Sequence, residues 1–180
     1  MLLTRLPETE WEWLTIMQHH KVPTRLLDWT ENPLVALYFA ICEYPKSDGV
    51  LWVLYPRILN NISNIFPDYP KYIPSFEDKE LNAYTPQSIR SEKTSKMKPL
   101  AVIGPRNTPR MQAQLGVFTV IHRDTTPIDD LANGEHVLRY VIPKKAKLKI
   151  VEELRLLGVG RLQLFPELES IGYLLQGDIA

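Results

Sequence analysis

The stretch from Gln18 to Ala40, "QHHKVPTRLLDWTENPLVALYFA", opens on two histidines, closes on an apolar run and carries Arg25, Asp28, Thr30 and Asn32 in between. Its second half decides the fold. Asn32 is a good N-cap and Pro33 suits the first helical position, where its missing N–H costs nothing, so a helix is predicted from there to about Glu43. That helix is apolar nearly all round, which is the pattern of a helix buried on several sides, and it is expected to be the central support of the domain. Upstream, Thr9 followed by Glu12 has the spacing of a capping box, and Trp11, Leu14 and Met17 recur at helical intervals. A helix is therefore predicted from about Glu10 to His20, ended by Lys21, Val22 and Pro23. The polar residues fall in a loop held between the two helices.

The chain around this stretch has 180 residues, enough to bury a core without metal or disulfide help, and is expected to form one domain over residues 1–180. Hydrophobic residues make up 44% and charged residues 23%, a composition that excludes a disordered or fibrous protein. Twenty-one basic residues balance twenty-one acidic ones, so no global field draws in nucleic acid or an anionic membrane. The single cysteine, Cys42, cannot form an internal disulfide and reads as a small buried hydrophobe; a reducing, cytoplasmic setting is the expectation. The longest uninterrupted apolar run, Leu34 to Cys42, is too short to cross a membrane, so no membrane association is expected.

Beyond the second helix, Asp48-Gly49 is a turn signal, and "VLWVLY" reads as a buried strand closed by Pro56. Residues 66–99 carry Pro67, Pro70, Pro74, Pro86 and Pro99 and form the candidate long loop or insertion, with a short helix after Ser75, where Asp78 completes a capping-box spacing. "LAVIG" is a short strand, Thr108-Pro109 opens a helix that Gly116 ends, and "VFTVIH" is a further strand. "HVLRYVIP" alternates as a half-buried strand does. From Lys144 a helix is predicted with Leu148, Val151 and Leu154 on its inner face and Gly158 as its cap. A terminal helix is predicted from Pro166, with Ile171, Leu174 and Leu175 packing back. The fold class is α+β, with a mixed or mostly antiparallel small sheet packed against several helices.

The polar residues of the opening stretch admit two readings. Arg25 and Asp28 are three residues apart, so a guanidinium can meet a carboxylate if the segment coils, and Asp28 can equally accept backbone N–H groups at a turn. As a structural clamp, such a pair fixes the loop. Against that stands the density of Gln18, His19, Thr24, Arg25, Asp28, Trp29 and Thr30, which offer donors, acceptors and an aromatic plane on one supported loop, as small-ligand sites do. Adjacent histidines point to different helix faces and have no clustered Cys, Asp or Glu beside them, so His19 and His20 do not form a metal pair and no metal is expected. Glu167 and Glu169 read as helix-start charges rather than as a catalytic pair. The segment Ser88 to Pro99, with Arg90, Lys93, Lys96 and Lys98, reads as a solvated surface or, less well, as a phosphate contact to nucleic acid.

At these residues the sequence resembles the FRG domain family, whose most distinctive block runs Gln-His-Tyr/His-Gly, an apolar residue, Pro-Thr-Arg-Leu-Leu-Asp-Trp and then an Ala-Leu-Tyr/Phe-Phe-Ala helix. A second block, "NTPRMQAQLGVFTVI", is similar to the family pattern through Asn107, Arg110, Gln114, Gly116 and Phe118, which implies a ligand-facing role for Arg110 and Gln114. A third, "LGVGRLQLFPELESI", is similar to the family's Leu-Gly and Phe-Pro-Asp/Glu-Leu ending. Two features depart from the pattern. The Phe/Tyr-Arg-Gly motif that names the family is absent, so the chain resembles an N-terminally shortened member. Lys21 stands where the family usually has glycine, and if the backbone there needs a positive φ, lysine costs on the order of 1 kcal/mol.

The resemblance implies a family of uncharacterised biochemistry, found in bacterial and phage proteins and in part in defence or toxin-like contexts. "PTRLLDWT" and "HVLRYVIPKKAKLKIV" further resemble blocks of ADP-ribosyltransferases, the second as a strand, a Pro-containing turn and a strand after the catalytic glutamate. That likeness implies NAD as the cofactor, Arg25 or His19 in contact with it, and Asp28 or Glu135 polarising a ribose hydroxyl as an oxocarbenium-like centre forms, a role for which a carboxylate is suited. The competing class is a non-enzymatic module that binds a nucleotide, a nucleic acid or a protein.

Overall fold

The computed structural model describes residues 6–68, 71–92, 97–124 and 126–166. In chain order these form α1 (Glu10–His19), β1 (Leu26–Thr30), α2 (Pro33–Ile41), β2 (Gly49–Leu54), α3 (Pro56–Ser63), α4 (Pro86–Ser91), β3 (Leu100–Val102), α5 (Pro109–Gln114), β4 (Gly116–Val120), β5 (Val137–Ile142), α6 (Lys144–Leu156) and α7 (Arg161–Leu164). The architecture is α+β, with two small sheets, one ordered β1-β4-β3 and the other pairing β2 with β5. β3 runs antiparallel to β4, and β5 antiparallel to β2. The residues after Pro166, where a terminal helix was expected, lie outside the described residues.

The chain divides into two compact units. One comprises Met1–Asp28, Tyr55–Gly104 and Phe118–His136, and the other Trp29–Leu54, Pro105–Val117 and Val137–Ala180.

In the first unit, Thr9 caps α1 by accepting from the Glu12 N–H, and the Glu12 carboxylate accepts in return from the Glu8 N–H. The inner face of α1 delivers Trp11 and Leu14 to the core. Trp11 stacks on Phe76 with ring centroids 4.5 Å apart, and Phe76 stacks in turn on Phe118 at 5.8 Å, a row worth about 0.5–1.5 kcal/mol per pair beyond the area it buries. Gly104 lies against this row, and a Cβ there would stand 2.4 Å from the Phe118 ring, so only glycine fits. Pro56 follows the end of β2, as expected, and also opens α3 at the first helical position, where proline is preorganised. α3 buries Leu59 and Asn60. The Asn60 amide donates to the Ala101 carbonyl at 3.0 Å and accepts from the Ala101 N–H at 2.7 Å, so this side chain occupies the place of a neighbouring strand beside β3. Within the 66–99 segment Asp78 accepts from the Ser75 N–H at 2.6 Å, as the capping-box spacing predicts, and a 3-10 helix follows over Lys79–Tyr84. Leu81 and Tyr84 from this stretch are fully buried.

In the second unit, Asn32 caps α2 by accepting from the Leu34 N–H at 2.9 Å, and Pro33 takes the first turn. α2 buries only Val35 and Ile41, and Phe39 is exposed, so the all-round burial expected of it is not what forms. Cys42 is exposed at its C-cap rather than buried, because the helix ends there and turns the residue outward. The core joins Ile41, Ile142 and Leu154, with Leu51 and Val151 packed against them. Gly49 is buried where β2 passes α2; a Cβ would stand 2.3 Å from the Ala40 carbonyl oxygen. β2 and β5 were expected as buried and half-buried strands. As a two-stranded sheet they expose Trp52, Val53, Leu138, Tyr140 and Val141, because no third strand adjoins either within the described residues. The inner face of α6 is set by Lys147 and Leu154, while Leu148, expected on that face, is 76% exposed. Lys147 is buried with its ammonium donating to the carbonyls of Glu43 and Tyr44 at 2.9 and 3.1 Å, where a cation meets the carbonyl end of α2. α6 ends as its sequence predicts, with Gly158 at φ 74° and the Val159 N–H reaching the Leu154 carbonyl.

Candidate functional site

The end of α1 sets the geometry of the polar segment. The Lys21 N–H bonds the Gln18 carbonyl and the Val22 N–H the Met17 carbonyl, the two bonds of a Schellman motif, and Lys21 sits in the left-handed region at φ 59°. Position 21 is thus one that favours glycine, and lysine holds it under strain. This tight stop reverses the chain and lets Pro23 lead it back past the last turn of α1.

Gln18, Thr24 and Asp28 meet as a result. The Thr24 hydroxyl donates to the Gln18 side-chain oxygen and accepts from the Leu26 N–H at 3.1 Å. The Gln18 amide nitrogen donates to Asp28 Oδ2 at 2.8 Å. Asp28 is exposed, and its second carboxylate oxygen accepts no hydrogen bond among the described residues. His19, in the same turn, is exposed and meets His20 edge-on with centroids 5.0 Å apart.

Arg25 does not join Asp28. Arg25 stands at the bend just before β1 and Asp28 within the extended strand, and among the described residues the two form no ion pair, so the guanidinium–carboxylate clamp does not form. Arg25 is directed instead to Tyr84, whose carbonyl accepts from Nη2 at 3.3 Å, while Nη1 is buried with no partner among the described residues. Burial disfavours its cation, Glu10 supports it and the charge of Arg123 opposes it. Behind it, the buried His122 ring meets the Tyr84 ring edge-on at 5.4 Å and accepts from the Met97 N–H through Nδ1. Burial first, and then the charges of Arg123 and Arg25, push the His122 imidazole below its ordinary range. Burial pushes the Tyr84 phenol up. Tyr84, His122 and Arg123 escaped the sequence reading. The one available signal was the polar pair His122-Arg123 immediately after a buried strand.

Glu135 is exposed at the C-terminal cap of a 3-10 segment before β5, with no side-chain bond to Asp28 or Arg25. After Pro143 the chain enters α6, not the strand that the transferase-like reading of this stretch requires.

The remaining candidates lie in the second unit. Trp29 is half-buried. Thr30 donates to the Gln114 carbonyl at 2.6 Å and accepts from the Asn32 N–H at 3.0 Å. Gln114 donates from its amide to the Leu164 carbonyl at 2.9 Å, and Arg110 lies over the Phe165 ring at 4.7 Å. All three are thus engaged in holding α5, α7 and the start of α2. Leu115, not Gly116, takes the left-handed position at the end of α5, at φ 46°, and Gly116 instead makes room for Met111, whose sulfur would stand 3.2 Å from an added Cβ. In the basic segment, Arg90 and Lys98 are exposed, and Lys93 and Lys96 lie outside the described residues.

Among the described residues no cluster of three or more His, Cys, Asp or Glu side chains is placed to hold a metal ion, and no helix is long and apolar enough to cross a membrane. The family model of the FRG domain matches residues 2–49, consistent with membership of the FRG-domain family. The matched span contains α1, its Schellman stop, β1 and α2, and with them the whole Gln18–Thr24–Asp28 network. The second and third resembling blocks lie beyond it. No curated protein and no solved structure matches the chain.

Proposed function

We propose that the segment joining α1 to β1 binds a nucleotide-type ligand, with Asp28 accepting from sugar hydroxyls and Arg25 supplying positive charge. The observation that carries this reading is Asp28 itself, a carboxylate oriented by Gln18, exposed, and with one oxygen uncommitted among the described residues. Fixing a few polar groups before the ligand arrives reduces the ordering cost of binding. β1 is an outer strand of its sheet, with Asp28 within it and Arg25 at the bend just before it, so a ligand along this strand meets both residues. His19, Trp29 and Thr30 flank the same segment in sequence.

The enzymatic form of this reading is ADP-ribosyl transfer from NAD. The glycosidic C–N bond breaks, nicotinamide leaves with the electron pair, and an acceptor nucleophile bonds the anomeric carbon and releases its proton to solvent. Asp28 or Glu135 would stabilise the positive charge that develops on the sugar. The helix after Pro143 favours the non-enzymatic form, a nucleotide-binding module, over the transferase. The single cysteine is compatible with a reducing, cytoplasmic setting for either.

The test is thermal unfolding with and without NAD and ADP-ribose, combined with assay of nicotinamide release. A ligand at about 100 times its Kd adds about 2.7 kcal/mol, a shift of several degrees at this chain length. Stabilisation by both ligands that Asp28→Asn abolishes is the expected result, and nicotinamide release would establish the transferase form. No stabilisation by either ligand would overturn the reading.

A further inference from the structure

Among the described residues, neither Arg25 nor Arg123 of the first unit forms an ion pair, although Glu10 lies near enough to Arg25 to support its charge. Among the described residues Arg25 leaves Nη1 buried and without an acceptor, a costly arrangement for a buried N–H. Arg123 is half-buried and makes no ion pair or side-chain hydrogen bond among the described residues. The backbone brings them together: the Ile121 N–H donates to the Arg25 carbonyl at 3.0 Å, and Arg123 follows two residues later, near enough for the two charges to repel. The carboxylate that faces Arg25, Glu10, also accepts from the Gln87 N–H at 2.9 Å.

We infer that Arg25 and Arg123, backed by His122 and Tyr84, form a subsite for a phosphate-type anion, the diphosphate of the nucleotide-type ligand proposed above, on which this assignment rests. An anion between the guanidinium groups supplies the acceptor that Nη1 lacks and relieves the repulsion. Arginine suits the task because its planar fork bonds phosphate oxygens in pairs. Arg25 is preset for it: Nη2 is anchored on the Tyr84 carbonyl, and Tyr84 is itself fixed by its hydroxyl donating to the Lys98 carbonyl. His122 walls the site without competing for the anion's place, since its Nδ1 is occupied by the Met97 N–H.

The experiment is calorimetric titration of the full chain with inorganic pyrophosphate and separately with ADP-ribose, at low and at raised ionic strength, for the wild type, Arg123→Gln, Arg123→Lys and Asp28→Asn. Near-ultraviolet circular dichroism of each variant checks that it is folded. Pyrophosphate is expected to bind the wild type, more weakly as salt rises, and Arg123→Gln to weaken it about tenfold, with partial recovery in Arg123→Lys. Asp28→Asn is expected to leave pyrophosphate binding intact while weakening ADP-ribose. If pyrophosphate does not bind, or binds folded Arg123→Gln as tightly as wild type, the subsite is overturned. ADP-ribose binding indifferent to Arg123→Gln would likewise sink the subsite while sparing the nucleotide reading. Pyrophosphate binding that depends on Arg123 without any binding of ADP-ribose would do the reverse.

Discussion

Gln18 and Asp28, ten residues apart in the chain, are joined by a 2.8 Å hydrogen bond from the glutamine amide to the aspartate carboxylate, and Thr24 holds the other end of the same amide. Three side chains from the helix end, the loop and the strand are thereby made into one unit. Because Asp28 is exposed, water can replace the lost bond when either partner is truncated. Gln18→Ala and Asp28→Asn are each expected to cost under about 1 kcal/mol in urea unfolding while weakening ADP-ribose binding by a larger factor. A stability loss of several kcal/mol with binding unchanged would show that the network serves the fold alone.

Lys21 at φ 59° is a lysine in a conformation that suits glycine. Lys21→Gly removes the Cβ clash but gives the unfolded chain more freedom, and the first effect dominates at a left-handed position. The expected gain is on the order of 1 kcal/mol, read as a rise in Tm with no change in the spectrum of the folded state. A lower Tm would mean that the lysine side chain contributes more than its backbone strain costs.

Asn60 satisfies both backbone groups of Ala101 from within the core. Asn60→Leu is close in volume but orphans a buried N–H and a buried carbonyl at once, so a loss of about 2–5 kcal/mol is expected, measured by chemical unfolding. Asn60→Asp should also destabilise, since the carboxylate cannot donate to the carbonyl. A neutral Asn60→Leu would mean that α3 shifts to admit water at β3.

His122 links folding to pH. Burial and the charges of Arg123 and Arg25 favour its neutral form, with Glu92 and the Ala83 backbone acting against them, so its folded-state value lies below the ordinary 6.5. Below 6.5 the unfolded chain takes up a proton that the folded chain resists, so stability is full above that point and falls as pH drops from it towards the folded-state value, then levels off. The difference in unfolding free energy between the wild type and His122→Gln should therefore shrink on acidification through this window. A constant difference would remove His122 as the linked group.

The local signals were legible because each is completed within a few residues. Thr9, Asn32 and Thr108 cap the helices their spacing marks, and Gly158 ends α6. The strain at Lys21 was foreseen only through the family resemblance, which places glycine there, and was conditional on the positive φ that the backbone takes. The exposed β2–β5 pair was not legible, because apolar alternation specifies a strand and not how many neighbours cover it.

The partners of Arg25 and Asp28 mark the division most clearly. Capping and turn chemistry on either side are local, and they mark both residues as members of one supported polar segment. Their separation, by contrast, is set by long-range packing. Asp28 accepts from Gln18 close by in the chain, whereas Arg25 finds its acceptor at Tyr84, fifty-nine residues away, a contact that depends on how the core closes and that no short-range pattern encodes.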